Sequence, residues 1–161
     1  LDRLTHPNAT AVTVAMRLRP YQQTDLDPVI QLWWEAWHSS SGYRHPKPIE
    51  DWEQRWFNLE KTHRIVVIED GDHNNNIIAF AALDLKCNIL SQIFVSPAHK
   101  RQGIGKRLID WALSNCPDGF SLKTATDNHE ARAFYRALGM REGEVSINDF
   151  NDRAEIEYHS R

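Results

Sequence analysis

The stretch Val95-Ser96-Pro97-Ala98-His99-Lys100-Arg101-Gln102-Gly103-Ile104-Gly105-Lys106 constrains the fold more than any other part of the chain. The apolar run ahead of it, Asn88–Val95, reads as a buried strand stopped by Pro97. Behind it, Gly105–Cys116 sets Leu108, Ile109, Ala112 and Leu113 on one helical face. A basic, glycine-containing turn must therefore carry a strand directly into a helix. The first N–H groups of a helix have no internal acceptor and lie at the positive end of its dipole. Glycines let the backbone approach a ligand closely, so such a turn can hold a pyrophosphate. A tight turn without a ligand explains Gly103-Ile104-Gly105 equally well on its own. Two common phosphate motifs are excluded. A Walker loop needs Gly at position 100 and Ser or Thr at 107, where Lys100 and Arg107 stand; the Rossmann pattern needs a glycine where Leu108 stands.

The rest of the chain reads as alternating elements. Arg17–Pro20 is a short strand, and Thr24, Asp25 and Asp27 offer helix caps around Pro28. Val29, Leu32, Trp33 and Ala36 keep helical spacing while Ile30, Trp34 and Trp37 form a second stripe, so this helix needs cover on two sides. Ser39–Pro48 is a loop by composition, and Ile49–Leu59 is a second helix. Arg64–Asp70 and Ile77–Leu85 form a hairpin around the turn at 71–76. Phe120–Thr126 is a strand, followed by a helix that Asp127 or Asn128 caps, running to Leu138 with Gly139 past its end. Val145–Phe150 and Ala154–Tyr158 are the last strands. This order predicts one mixed α/β domain over residues 16–161. Residues 1–15 are polar and Thr-rich, without a basic start or an unbroken apolar core, and read as a disordered extension or a tag.

A second motif follows the first: Asn128-His129-Glu130-Ala131-Arg132-Ala133-Phe134-Tyr135-Arg136-Ala137-Leu138-Gly139-Met140. Val95–Lys106 resembles the acyl-CoA-binding motif of the GNAT superfamily of N-acyltransferases, in which a strand ending Val-x-Pro leads to Arg/Gln-x-x-Gly-x-Gly/Ala. The second stretch resembles that superfamily's Asn-x-x-Ala-x-x-x-Tyr-x-x-x-Gly-Phe, and Arg19 with Asp25 matches its opening pattern. The resemblance spans residues 17–158 and implies a mixed, mostly antiparallel central sheet flanked by helices, with a splayed strand pair holding the acyl-CoA. It implies that backbone amides of Arg101, Gln102, Gly103, Ile104, Gly105 and Lys106 bind the CoA pyrophosphate. Ile93 and Val95 would pair with the pantetheine arm as an added strand does. Lys100 stands where the family has Arg or Gln, keeping the charge without the planar fork. Met140 replaces the usual Phe. Tyr135 would act as general acid toward the departing thiolate. Asn128 would hydrogen-bond the CoA, cap its helix, or both. The Glu that some members carry in the central strand is absent: Ile89 stands there. Ser91 and Gln92 could only position water, and Asp84, Glu35, His38, Glu155 and Glu157 stay open as the base.

On the acceptor side, the resemblance places a pocket at the first two helices and their connection, with Trp34, Glu35, Trp37, His38 and Tyr43 as candidates. Five of the six Trp lie before position 57. At least half of these rings are expected to pack helices on the sheet, leaving others to meet an acceptor. Nineteen Lys and Arg against 22 Asp and Glu give a formal charge of −3, which weighs against nucleic acid or a membrane surface. Cys87 and Cys116 make no multi-cysteine zinc site, and no two histidines stand at ligand spacing, so no metal is expected. With no targeting signal and no cysteine framework, the expected location is the cytoplasm. The expectation is an acetyl-CoA-dependent N-acetyltransferase acting on a small primary amine by direct attack, with homodimerisation left open. The alternatives are a non-catalytic acyl-CoA-binding or sensor module, a protein or peptide N-acetyltransferase, and, disfavoured by charge, a transferase acting on charged tRNA.

Overall fold

A computed structural model describes residues 16–41 and 49–161. Expectations for residues 1–15, and the placement of Tyr43, lie outside the described residues. Seven strands join one sheet: β1 (Arg17–Pro20), β2 (Arg64–Asp70), β3 (Asn76–Asp84), β4 (Ile89–Val95), β5 (Ser121–Ala125), β6 (Arg141–Ile147) and β7 (Ala154–His159). Their spatial order is β1-β2-β3-β4-β5-β7-β6. Every neighbouring pair is antiparallel except β4 with β5. Four helices among the described residues accompany them: α1 (Leu26–Ser41), α2 (Ile49–Glu60), α3 (Ile104–Asn115) and α4 (His129–Ala137). The expected mixed, mostly antiparallel sheet flanked by helices is the fold observed. None of the described helices is long and apolar enough to cross a membrane.

Both faces of the central strands are covered, which is why β2 and β3 read as nearly unbroken apolar runs. Val66, Ile68, Ala79, Ala81 and Leu83 turn to one face, where they meet Leu108, Ile109 and Ala112 of α3 and Tyr135 of α4. Val67, Phe80 and Ala82 turn to the other, under Val29, Leu32 and Trp33 of α1 and Trp52 and Trp56 of α2. Trp33, Trp52 and Trp56 have no exposed surface. Their rings meet edge to face, Trp33 lying 4.7 Å from Trp52 and 6.0 Å from Trp56. Most of the tryptophan excess is thus the core of one helical layer. The two stripes of α1 have the same cause: one faces the sheet and the other meets α2, with the Trp34 and Trp37 rings 5.8 and 5.7 Å from Trp52.

The N-terminal strand is tied down by charge. Arg19 donates from two nitrogens to both oxygens of Asp25 at 2.8 Å, and its Nε donates to Glu69 at 2.9 Å. Asp25 also accepts the Gln22 N–H at 2.8 Å, closing the 3₁₀ turn that leads into α1. The guanidinium of Arg19 holds the Asp25 carboxyl below the usual carboxylate range.

The candidate active-site cleft

β4 and β5 run parallel, and their register holds a single pair, Ile89 opposite Ser121. Past that pair the strands diverge. The β4 backbone groups facing the gap have no strand partner among the described residues, although buried backbone polar groups are nearly always paired. β4 also carries a bulge: Leu83 pairs with Leu90 and Ala82 with Gln92, so Ser91 is the extra residue. A cleft of about 1160 Å³ opens in the gap.

One wall and the floor come from the glycine turn. Pro97–His99 forms a 3₁₀ turn, Arg101 has φ +64°, and Gly103 has φ +77°. Two left-handed residues reverse the chain so that α3 starts at the cleft. A non-glycine residue in that region is strained, and strain of this kind collects at functional sites. α3 has no side-chain cap, which leaves its first N–H groups without an intrahelical or side-chain acceptor. A Cβ at Gly105 would come 3.1 Å from Cζ of Phe134, tighter than ordinary contact, so a larger residue there would require the Phe134 ring to give way. His99 lines the same wall, and its buried Nδ1 has no partner among the described residues. Unpaired strand edge, uncapped helix and orphaned imidazole nitrogen together fit a ligand that brings amides and phosphates.

Of the residues picked from sequence on the cofactor side, Ile93, Val95, Lys100, Arg101, Gly103, Ile104, Gly105, Lys106, Asn128 and Tyr135 all line this cleft. Gln102 belongs to the same turn but is exposed and lies outside the lining. Lys100 pairs with Glu130 at 3.5 Å, and Lys106 with Asp110 at 2.8 Å. Asn128 caps α4, its Oδ1 accepting the Ala131 N–H at 3.2 Å. Tyr135 is buried, with its ring 5.3 Å from that of Tyr158. Desolvation, with Tyr158 adding to it, pushes its phenol well above the ordinary tyrosine range. Tyr135 therefore stays protonated at neutral pH.

The acceptor-side candidates divide. Trp37 lines the cleft. Trp34, Glu35 and His38 are not among its lining residues. Glu35 is exposed and accepts from Gln31 at 2.7 Å, and the ring of His38 stacks 4.0 Å from Trp34 while its Nδ1 meets the Trp34 carbonyl at 2.7 Å. Of the acids considered as the base, Glu155 lines the cleft. Asp84 instead caps the β3–β4 turn through the amides of Lys86 and Cys87, and Glu157 pairs with His159.

Several lining residues escaped the sequence reading, His63 and Arg55 among them. His63 lies between α2 and β2, and its Nε2 meets Ser91 Oγ at 2.8 Å, on the bulge of β4. Its Nδ1 meets Thr62 Oγ1 at 2.8 Å. Burial lowers its pKa below the usual histidine value, against an opposing pull from Asp84. Arg55 is on the inner side of α2. No spacing rule joins residues 63 and 91, so the pairing had no sequence signature.

The model for the acetyltransferase (GNAT) family matches residues 26–140. No curated protein matches the chain by sequence. Among solved structures, apo-form YjaB from Escherichia coli is similar at a TM-score of 0.74 and 15% identity, over 89% of this chain and 96% of that one. PaiA N-acetyltransferase from Thermoplasma acidophilum, in complex with coenzyme A, is similar at 0.68 and 18% identity, over 89% and 98%. Spermidine N-acetyltransferase from Vibrio cholerae, in complex with CoA and spermine, is similar at 0.66 and 20% identity, over 89% and 93%. At these identities the structural likeness is one of fold. The family match itself runs from α1 through both motifs to the end of α4, and on that ground the chain belongs to the acetyltransferase (GNAT) family.

Proposed function

We propose that the protein transfers an acetyl group from acetyl-CoA to the primary amine of a small molecule, both substrates being held in the cleft at once. The observation that carries this reading is the divergence of β4 from β5 directly above the uncapped start of α3. The amides of Arg101–Lys106 would receive the pyrophosphate, and the open edge of β4 at Ile93 and Val95 would pair with the pantetheine amides. Lys100, Gln102 and Asn128 complete the proposed cofactor side.

The amine nitrogen attacks the thioester carbonyl, a carbon–nitrogen bond forms, and the carbon–sulfur bond breaks. The Tyr135 phenol donates its proton to the leaving sulfur, a step worth about 10²–10⁴ in rate. The attacking nitrogen loses its proton through Ser91 Oγ to Nε2 of His63, which is neutral at pH 7 because its pKa lies below the ordinary value. Trp37 borders the acceptor.

The test is free-thiol release from acetyl-CoA across amines, polyamines, amino acids, aminoglycosides and peptides. Release stimulated by small amines, with the acetylated amine recovered in equal amount, is the expected result. Acetyl-CoA binding without stimulation by any acceptor would leave a non-catalytic acyl-CoA-binding module; stimulation by peptides alone would make it a peptide acetyltransferase.

A further inference from the structure

Resting on that reading of the cleft, we propose that Arg55 binds a carboxylate, so that the acceptor is an amine that also carries a carboxylate: an amino acid or a close analogue. Arg55 lines the cleft alongside Trp37, His63 and Glu155. Its guanidinium carbon lies 4.2 Å from the centre of the Phe150 ring and 5.2 Å from that of Trp33. Both aromatic rings attract the cation through their own π faces. Its N–H groups make no hydrogen bond or ion pair with any of the described residues. Glu155 is the acid whose charge it feels, yet that carboxylate accepts from Asn148 at 3.0 Å and lies 3.8 Å from Lys123.

A partly buried cation without a hydrogen-bonded counter-charge is costly, and here burial pulls the guanidinium down to about 10. Elsewhere among the described residues Arg17 and Arg19 pair with Glu69, Arg19 with Asp25, Arg132 and Arg136 with Glu142, and Arg153 with Asp127. Of the three described arginines that line the cleft, Arg153 has Asp127, Arg101 is exposed on the glycine turn, and Arg55 is the partly buried one without an ion pair among the described residues. The planar fork of arginine matches a carboxylate with two parallel hydrogen bonds. Glu155, lining the same cleft and felt by Arg55, disfavours a doubly charged anion and suits an ammonium, so the two side chains together match a zwitterion.

The test compares amino acids with their own carboxamides, using spermidine as a cationic control and phosphoethanolamine as a dianionic one. The wild-type protein should favour each amino acid over its amide by about 10- to 150-fold in kcat/KM. The amide's amine is the less basic of the two, which biases the comparison against this outcome. Arg55→Gln should abolish the preference, Arg55→Lys should keep part of it, and Arg55→Glu should turn it toward spermidine, with acetyl-CoA affinity serving as the check on folding. Equal use of acids and amides by the wild type overturns the proposal. So does Arg55→Gln slowing both by one factor, or a preference for phosphoethanolamine. Calorimetry on the CoA complex separates the two levels of failure. Amino acids that bind through Arg55 without turning over uphold the carboxylate site and sink the transfer reading. Binding indifferent to the carboxylate sinks the carboxylate site.

Discussion

Tyr135 and His63 both line the opening, one held protonated by burial and the other held neutral by it. In the proposed mechanism the first is the proton donor and the second the proton acceptor. Tyr135→Phe should leave acetyl-CoA affinity intact and lower kcat by about 10²–10⁴; unchanged turnover would remove Tyr135 from the chemistry. For His63 the lowered pKa sets the sign. The neutral form predominates above that pKa, so kcat should fall only as pH drops below about 6.5. His63→Gln should flatten that limb. Asp84 opposes the shift, so Asp84→Asn should move the limb to lower pH. Gly103 has room for a methyl group but not the right backbone, so Gly103→Ala should cost about 1–2 kcal/mol and weaken CoA binding. Calorimetry and urea unfolding measure both. The glycines, Tyr135 and Asn128 were legible because a motif is a local spacing. Arg55 was not: in sequence it is one polar position on an amphipathic helix, and its role in the cleft depends on Phe150, 95 residues further on.

At the scale of elements, α1 and α4 are fixed by polar contacts that can be tested apart from catalysis. The bidentate bond from Arg19 to Asp25 ties β1 to the turn before α1, with both side chains largely buried. Arg19→Ala should destabilise by about 3 kcal/mol, since it strands a buried carboxylate. Asp25 titrates below its unfolded value, so its contribution is present above about pH 3.9 and is lost as pH falls through the lowered folded value. Urea unfolding between pH 5 and 2 should therefore show a steeper acid loss in the wild type than in Arg19→Ala. Asn128→Ala should cost about 1 kcal/mol through the lost cap, and Asn128→Ser should restore it. If Asn128→Ser keeps stability yet weakens CoA binding, the side chain serves both purposes. The strand and helix order was readable from periodicity and turn residues. Less readable was what the tryptophans of α1 and α2 were for, because a large ring at helical spacing looks the same from sequence whether it faces a core or a ligand. Burial assigns Trp33, Trp52 and Trp56 to the core and leaves Trp37 at the cleft.

For the molecule as a whole, the decisive property is a sheet that parts in the middle. β1 to β4 make one arm and β5, β7 and β6 the other, joined at Ile89 and Ser121. Sequence periodicity predicts strands but not which neighbours fail to pair, so the opening came from the resemblance and then from the register. Under the proposed function, an opening of this kind would bring a thioester along β4 and an amine beside Trp37, Arg55 and Glu155, which all line the cleft, to the same place. In that proposal nothing on the protein has to carry the acetyl group. The most direct test is the initial rate of acetyl-amine formation with acetyl-CoA and amine varied together. Direct transfer in a ternary complex predicts double-reciprocal lines that intersect, with one thiol released per amide formed. Parallel lines, the mark of an acetylated enzyme intermediate, or thiol release without amide, would contradict it.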